Sequence, residues 1–426
     1  MNALTCFKIL SAALLLCIPL AACGPSQPDA QSSLARVLSP TVAEADFYAL
    51  VDGNNAFALD LYQALRPSDG NLFYSPFSIS LALAMTYGGA RGDTEVQMAD
   101  VLHFDLSPES LHAAFNQLDL NLAQSGETED KDQQPMQLNI ANAVWAQEDH
   151  PFLPEYLDLL ALNYGAGIHL ADFTTQAEPT RQEINRWISD QTHDRIQDII
   201  SPGVLDALTR MVLVNAIYFK ADWQTQFDAN DTHHAPFYLL DGSEVQVEMM
   251  SNDDISLPYV DGDGYQAVEL PYVGGMAAMD IILPDEGQFE AFDATLDWAT
   301  LESILGEMQP TQLRLNMPKF TFTSQFNLSQ QLAAMGMPDA FDPDRADFSG
   351  MDGMRDLYIS NVIHQAFVAV DEKGTEAAAA TVVIMTLSAM PMEGIELTID
   401  RPFFFLIRDL ASEQILFAGR VLNPVE

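Results

Sequence analysis

The side chains that could do chemistry are sparse and poorly arranged. Eight histidines are scattered through 426 residues. The H-E-x-x-H spacing that puts two of them on one helix face does not occur, and His233 and His234 stand side by side instead. Ser349 lies in DFSGMDG, which lacks the G-x-S-x-G turn that exposes a nucleophile. DGDGYQ, from Asp261, lacks the third acidic position and closing Glu of a calcium loop and reads as a turn. No phosphate-cradling P-loop and no dinucleotide fingerprint occurs. The expectation is therefore no catalytic residue, no metal, no cofactor and no enzyme.

A different stretch poses a structural question: DEKGTEAAAATVVIMTL, Asp371 to Leu387. Thr375-Glu376 and the alanines Ala377, Ala378, Ala379 and Ala380 read locally as a helix start, because Ala is the best helix former. The β-branched run from Thr381 and the AFVAV before it read as strands. As a strand, the segment would turn Thr375, Ala377, Ala379, Thr381 and Val383 to one face and Glu376 to the other. Gly374 would permit dihedrals that other residues resist.

The elements that must position such a segment divide along the chain. The first half is helix-rich. NNAFALDLYQAL has helical spacing, Ser75-Pro76 and Ser107-Pro108 read as caps followed by Pro at the first helical position, and Thr180 with Glu183 reads as a capping box. From Met211 onward come β-rich runs, among them MVLVNAIYF, MAAMDIILP, LRLNMPKFTFT, VIHQAFVAV and QILFAGRVL, interrupted by the helical NLSQQLAAMG. Helices early and strands late indicate an α+β fold with large antiparallel or mixed sheets.

Composition bounds the partners. Asp and Glu total 61 against 18 Lys and Arg, a formal charge of −43, so nucleic acid and anionic lipid headgroups are set aside. An acidic shell of this kind repels itself at low salt and suits a salty habitat. The first 22 residues have the layout of an export signal, and Leu20-Ala21-Ala22-Cys23 resembles a bacterial lipobox, with Cys23 as the lipidated first residue. Gly24 after it resembles outer-membrane sorting. All three cysteines lie in this segment, so the mature chain has no disulfide. Residues 23–45, polar and proline-bearing, are expected to be a flexible tether, and 46–426 a single domain.

Several blocks together resemble the serpins, a family of serine protease inhibitors: NLFYSPFSISLALAMTYGGARGDT, LVNAIYFKADWQTQF, MPKFTFTSQFNLSQQLAAMGM, AFDPDRADFSGM, VIHQAFVAVDEKGTEAAAAT, LTIDRPFFFLI and LFAGRVLNP, spanning about Phe57 to Pro424. The resemblance implies three β-sheets, eight or nine helices and an exposed reactive-centre loop. A protease cuts that loop and forms an acyl-enzyme, and the loop then enters the main sheet as a new strand. Small alanines at its leading end fit threading between strands. Insertion from Gly374 to Ser388 would carry the far end about 46 Å at ~3.3 Å per residue.

The resemblance also implies roles for single residues. Counting sixteen past the hinge Glu372 puts the cut after Ser388, before Ala389, with Leu387 as the rival. Ser388 suits elastase-like or some subtilisin-like proteases and Leu387 chymotrypsin-like ones, while the lack of Arg or Lys from Thr381 to Met392 argues against trypsin-like targets. Ser75, Ser78, Asn215 and His364 resemble the polar shutter under the main sheet, although Ser75 is equally a helix cap and a lone buried His is usually a satisfied core residue. Trp223 resembles the breach tryptophan, and Lys319 with Glu372 an ion pair at the head of the loop. DTEVQMADVLHFDLS is acidic where polyanion-activated members are basic, so no heparin-type partner is expected. The expected partner is a target serine protease and the expected state a monomer, with membrane contact through the lipid alone. The alternatives are a non-inhibitory binding or chaperone member, or an inhibitor of cysteine proteases.

Overall fold

The computed structural model describes residues 29–125, 136–192, 194–375 and 394–426. The elements are α1 (Glu44–Leu65), β1 (Leu72–Tyr74), α2 (Pro76–Tyr87), α3 (Gly92–Leu102), α4 (Pro108–Ser125), β2 (Gln137–Gln147), α5 (Pro154–Tyr164), β3 (His169–Ala171), α6 (Phe173–Gln191) and β4 (Met211–Asp222). There follow β5 (His233–Tyr238), β6 (Glu244–Asp261), β7 (Tyr265–Pro271), β8 (Ala277–Pro284), α7 (Phe289–Asp293), α8 (Trp298–Glu307), β9 (Gln309–Pro318) and β10 (Phe320–Asn327). The chain closes with α9 (Ser329–Met335), α10 (Ser349–Asp352), β11 (Ile359–Val370), β12 (Gly374–Thr375), β13 (Ile395–Thr398), β14 (Phe403–Asp409) and β15 (Ile415–Val421).

The α+β reading holds, with two adjustments. The described residues form ten α-helices rather than eight or nine. They hydrogen-bond into two ladders rather than three: a six-stranded main sheet ordered β10-β11-β12-β4-β2-β3, and a nine-stranded one ordered β1-β15-β14-β8-β7-β6-β9-β13 with β5 beside β6. The reason is β6. Its first part pairs β5, its middle pairs β9 and its end pairs β7, so one strand with a register shift between Asn252 and Ile255 fuses two expected sheets.

The larger apolar core is built from both ladders with α1 and α2, and a second joins α6 to β2 and β4. Every residue of α2 is buried, as its sequence requires, since SISLALAMTY offers no polar face. Phe73 of β1 stacks on Phe417 of β15 at 5.0 Å and on Phe405 of β14 at 5.5 Å, side chains each contributing about 1.5–3 kcal/mol by leaving water.

Two local expectations are corrected. The helix assigned to a Thr180 capping box begins earlier, with Asp172 accepting the Thr175 N–H at 2.8 Å. It kinks at Gln176, ahead of Pro179, and the Thr180 hydroxyl donates back to the Asp172 carbonyl at 3.4 Å. The tether expected over 23–45 is docked in its described part. Ala30 exchanges backbone hydrogen bonds with Ile168 at 2.8 Å. Arg36 bonds Asn116 at 2.8 Å and Asp119 at 2.6 Å, and the Val37 N–H reaches the Leu162 carbonyl at 2.9 Å.

Candidate functional site at the head of the main sheet

Strands β4 and β11 run parallel and pair directly from Met211 with Ile359 to Tyr218 with Phe367. Above that point they part, and β12 fills the gap. Gly374 lies opposite Asp222 and Thr375 opposite Ala221 on one side, and Thr375 opposite Val370 on the other. The first residues of the alanine-bearing segment are therefore already a strand between β4 and β11. This settles the local ambiguity for Gly374 and Thr375 in favour of strand. Cys23, Ala377 to Ala380, Thr381, Leu387, Ser388 and Ala389 lie outside the described residues.

Gly374 is needed for a reason other than the one read from sequence. Its φ is not positive. A Cβ there would sit 2.1 Å from the Ala221 carbonyl oxygen, so the close approach of β4 excludes any side chain. Thr375, 1% exposed, shares a 2.6 Å hydrogen bond with the Tyr272 hydroxyl. Tyr272 in turn stacks on Trp223, centroids 4.7 Å apart and planes 9° off parallel. Burial pushes the Tyr272 hydroxyl far above its ordinary range, so it stays a neutral partner.

Trp223, which the resemblance reads as the breach tryptophan, packs beside the turn that leads into β12. Its indole N–H donates to the Asp371 carbonyl at 2.9 Å and its backbone N–H to the Lys373 carbonyl at 2.7 Å, while the Phe227 N–H reaches the Glu372 carbonyl at 2.9 Å. The turn leading into β12 is thus held from the β4 side by backbone and side chain together. Lys319 meets Glu372 at 3.3 Å and Glu248 at 3.4 Å, and the Thr232 hydroxyl donates to Glu372 at 2.8 Å. Partial burial alone would raise the Glu372 carboxyl, but its own backbone N–H, Thr232 and the Lys319 charge outweigh that and hold it below the usual range. A partly exposed pair of this kind contributes about 0–1 kcal/mol, so its effect is to position the turn.

Lower in the sheet, Ser75, Ser78, Asn215 and His364 form one hydrogen-bonded cluster. The Ser75 backbone N–H donates to His364 Nε2 at 3.1 Å, which requires the proton on Nδ1, and Nδ1 donates to Asn215 Oδ1. The Asn215 amide donates to Ser78 Oγ at 2.5 Å and to Asn142 Oδ1. Ser75 caps α2, accepting the Ser78 N–H at 3.2 Å, and its hydroxyl donates to the Leu416 carbonyl at 2.6 Å. Complete burial lowers the His364 pKa to about 3, so the ring is neutral. Asn215 and His364 lie opposite each other on β4 and β11, so the cluster straddles the seam between these two strands.

Four participants were missed in the sequence. Asn142 faces Asn215 from β2, a strand whose LNIANA run is too poor in β-branched residues to stand out. Tyr272 looked like one aromatic among many. Glu248 and Thr232 come from β6 and the approach to β5, where Pro258 and Pro236 mask the strand pattern.

Residues 52–424 match the model of the family described as Serpin (serine protease inhibitor). The chain is 38% identical over 391 residues to leukocyte elastase inhibitor A of Mus musculus, covering 88% of this chain and 99% of that protein. It is 39% identical over 399 residues to an uncharacterized serpin-like protein of Thermococcus kodakarensis, covering 93% and 91%. Among solved structures, the thermophilic serpin tengpin in its native state superposes with a TM-score of 0.79 at 30% identity, covering 92% of this chain and 97% of that one. Uncleaved ovalbumin gives 0.77 at 28% identity, covering 88% and 100%.

The chain belongs to the serpin family. The relatives also correct the terms of the enzyme question, which the sequence posed only through failed catalytic signatures. Leukocyte elastase inhibitor is a name for a protein that blocks a protease, and that positive finding replaces the argument from missing motifs.

Proposed function

We propose that this chain is a suicide-substrate inhibitor of serine proteases with elastase-like, subtilisin-like or chymotrypsin-like pockets, cut after Ser388 or Leu387. The protease serine attacks that carbonyl, the amine of the next residue leaves, and an ester joins enzyme to loop. The loop then continues the path that Gly374 and Thr375 already occupy. Entry replaces the parallel β4–β11 pairing by two antiparallel ladders, a gain in backbone hydrogen bonds of about 0.5–1.5 kcal/mol each.

The observation that carries this reading is β12 itself, a two-residue strand seated between β4 and β11 with Thr375 buried. The small alanines that follow in the sequence suit further threading between β4 and β11. Incubation with pancreatic elastase followed by mass spectrometry should find the cut at Ser388–Ala389 or Leu387–Ser388, and the cleaved protein should melt well above the intact one. A cut elsewhere, or a cleaved form that melts no higher, counts against the proposal.

For its location, Leu20-Ala21-Ala22-Cys23 supports export with a lipid on Cys23 and anchoring at an outer membrane. The docked strap from Asp29 would then leave only five residues, 24–28, between anchor and body. Labelling with a fatty-acid analogue should mark the wild type and not Cys23→Ser, and equal labelling of both would refute the anchor.

A further inference from the structure

At the opposite end of the main sheet from β12, three donor atoms converge. His150 Nδ1 is 2.9 Å from Asp352 Oδ2 and 3.7 Å from Asp356 Oδ1, and all three lie within 4.8 Å of one another. The His150 side chain is 7% exposed, that of Asp352 0% and that of Asp356 61%. The other Asp352 oxygen accepts the Met354 N–H at 2.8 Å, which aims Oδ2 at the ring. The Leu153 N–H, bonded to the Met351 carbonyl at 2.7 Å, ties the two segments together.

We infer that His150, Asp352 and Asp356 bind one divalent cation of the zinc class, and that the ion clamps the base of the line along which the main sheet opens. Bonds of about 2.0–2.1 Å to nitrogen and about 2.0–2.2 Å to oxygen put tetrahedral ligand atoms about 3.3 Å apart. The observed 2.9 and 3.7 Å separations bracket that edge. An imidazole with two carboxylates suits zinc or manganese, whereas calcium and magnesium take oxygen alone. Two carboxylates converge on one imidazole, and neighbouring Arg355 is turned to Asp347 at 3.3 Å. The exposed side at Asp356 leaves a path of entry and room for water.

The placement gives the ion a consequence. At the base of the sheet Ala146 of β2 pairs with Met211 of β4, and Met211 pairs with Ile359 of β11. His150 follows β2, while Asp352 and Asp356 precede β11, so the donors come from opposite sides of the β4–β11 line. Admitting a new strand requires those sides to move apart by ~4.8 Å, and an ion that binds only the closed arrangement opposes the movement by linkage. The ion affinity is independent of the proposed loop insertion, whereas the brake rests on it.

The test uses the mature chain stripped with chelator and titrated calorimetrically with zinc chloride, then with manganese and calcium chlorides. One zinc per chain is expected, at least tenfold tighter than calcium. Asp356→Asn, at an exposed position that leaves folding intact, and His150→Gln should each weaken zinc at least tenfold. Zinc binding that is absent, unchanged in both variants or matched by calcium overturns the site. The brake is read from annealing of a synthetic peptide spanning Thr375 to Ser388 into the intact protein, which zinc should slow at least tenfold in wild type and not in Asp356→Asn. Equal rates with and without zinc overturn the brake and leave insertion standing. Failure of the peptide to anneal even without zinc overturns the brake together with the insertion reading, and the affinity result is unaffected.

Discussion

Thr375 and Gly374 act through contacts that leave no room for alternatives. Gly374→Ala would drive a methyl group into the Ala221 carbonyl, so β12 should be expelled and the intact protein lose about 1–3 kcal/mol, measurable by urea denaturation. His364 makes a second residue-scale prediction. Its pKa, about 3 in the fold through burial, is well below the ~6.5 of a free imidazole. Between those values the unfolded chain binds the proton and the native chain does not. Stability is therefore full above about pH 6.5 and falls as pH drops toward 3, by up to about 1.4 kcal/mol per pH unit. The partners of the ring are neutral, so the slope belongs to the ring, with a parallel contribution from buried His112, whose pKa falls to about 4. Comparing denaturation midpoints at pH 7 and pH 5 in wild type and His364→Gln should show a smaller loss in the variant; equal losses would assign the slope elsewhere.

Among the elements, the strap 29–42 invites a test because it was expected to be free. Its pairing with Ile168, the Arg36 bonds to Asn116 and Asp119 and the Val37 bond to Leu162 tie it to the entry of β3, to α4 and to α5. Deleting residues 24–42 should lower the melting temperature by several degrees, in line with a loss of about 1–3 kcal/mol; an unchanged melting temperature would make the docking energetically idle. How far elements were legible follows from how much local pattern each carries. β4, β8, β11, β14 and β15 announce themselves through apolar, β-branched runs, and α2 through its cap and unbroken apolar course. β1 and β3 have three residues each, too few for a period, and β6 hides behind Pro258 and the acidic SNDD. The strap was illegible because its proline-bearing composition is that of a linker, and only partners far along the chain hold it in place. The polar cluster of Ser75, Ser78, Asn215 and His364 was legible through resemblance alone, since nothing local marks His364 as different from a core histidine, and Asn142 lacked even that.

The whole molecule carries a formal charge of −43, and self-repulsion of that size is screened within about 10 Å at 0.1 M salt. The melting temperature should therefore rise between low and high sodium chloride, and a value that stays constant would show that the acidic shell costs the fold nothing. On the same scale, the main sheet is closed below, parted above and already holds Gly374 and Thr375, the first two residues of the strand proposed to enter. The most direct test mixes the mature chain with an elastase-like protease and resolves the products on a denaturing gel. A band at the summed mass of protease and inhibitor should survive denaturation in wild type and vanish in Thr375→Arg, which would be cut as a plain substrate because an arginine cannot occupy the buried place beside Tyr272. Loop cleavage in wild type without such a band, or a band undiminished in Thr375→Arg, would contradict the account.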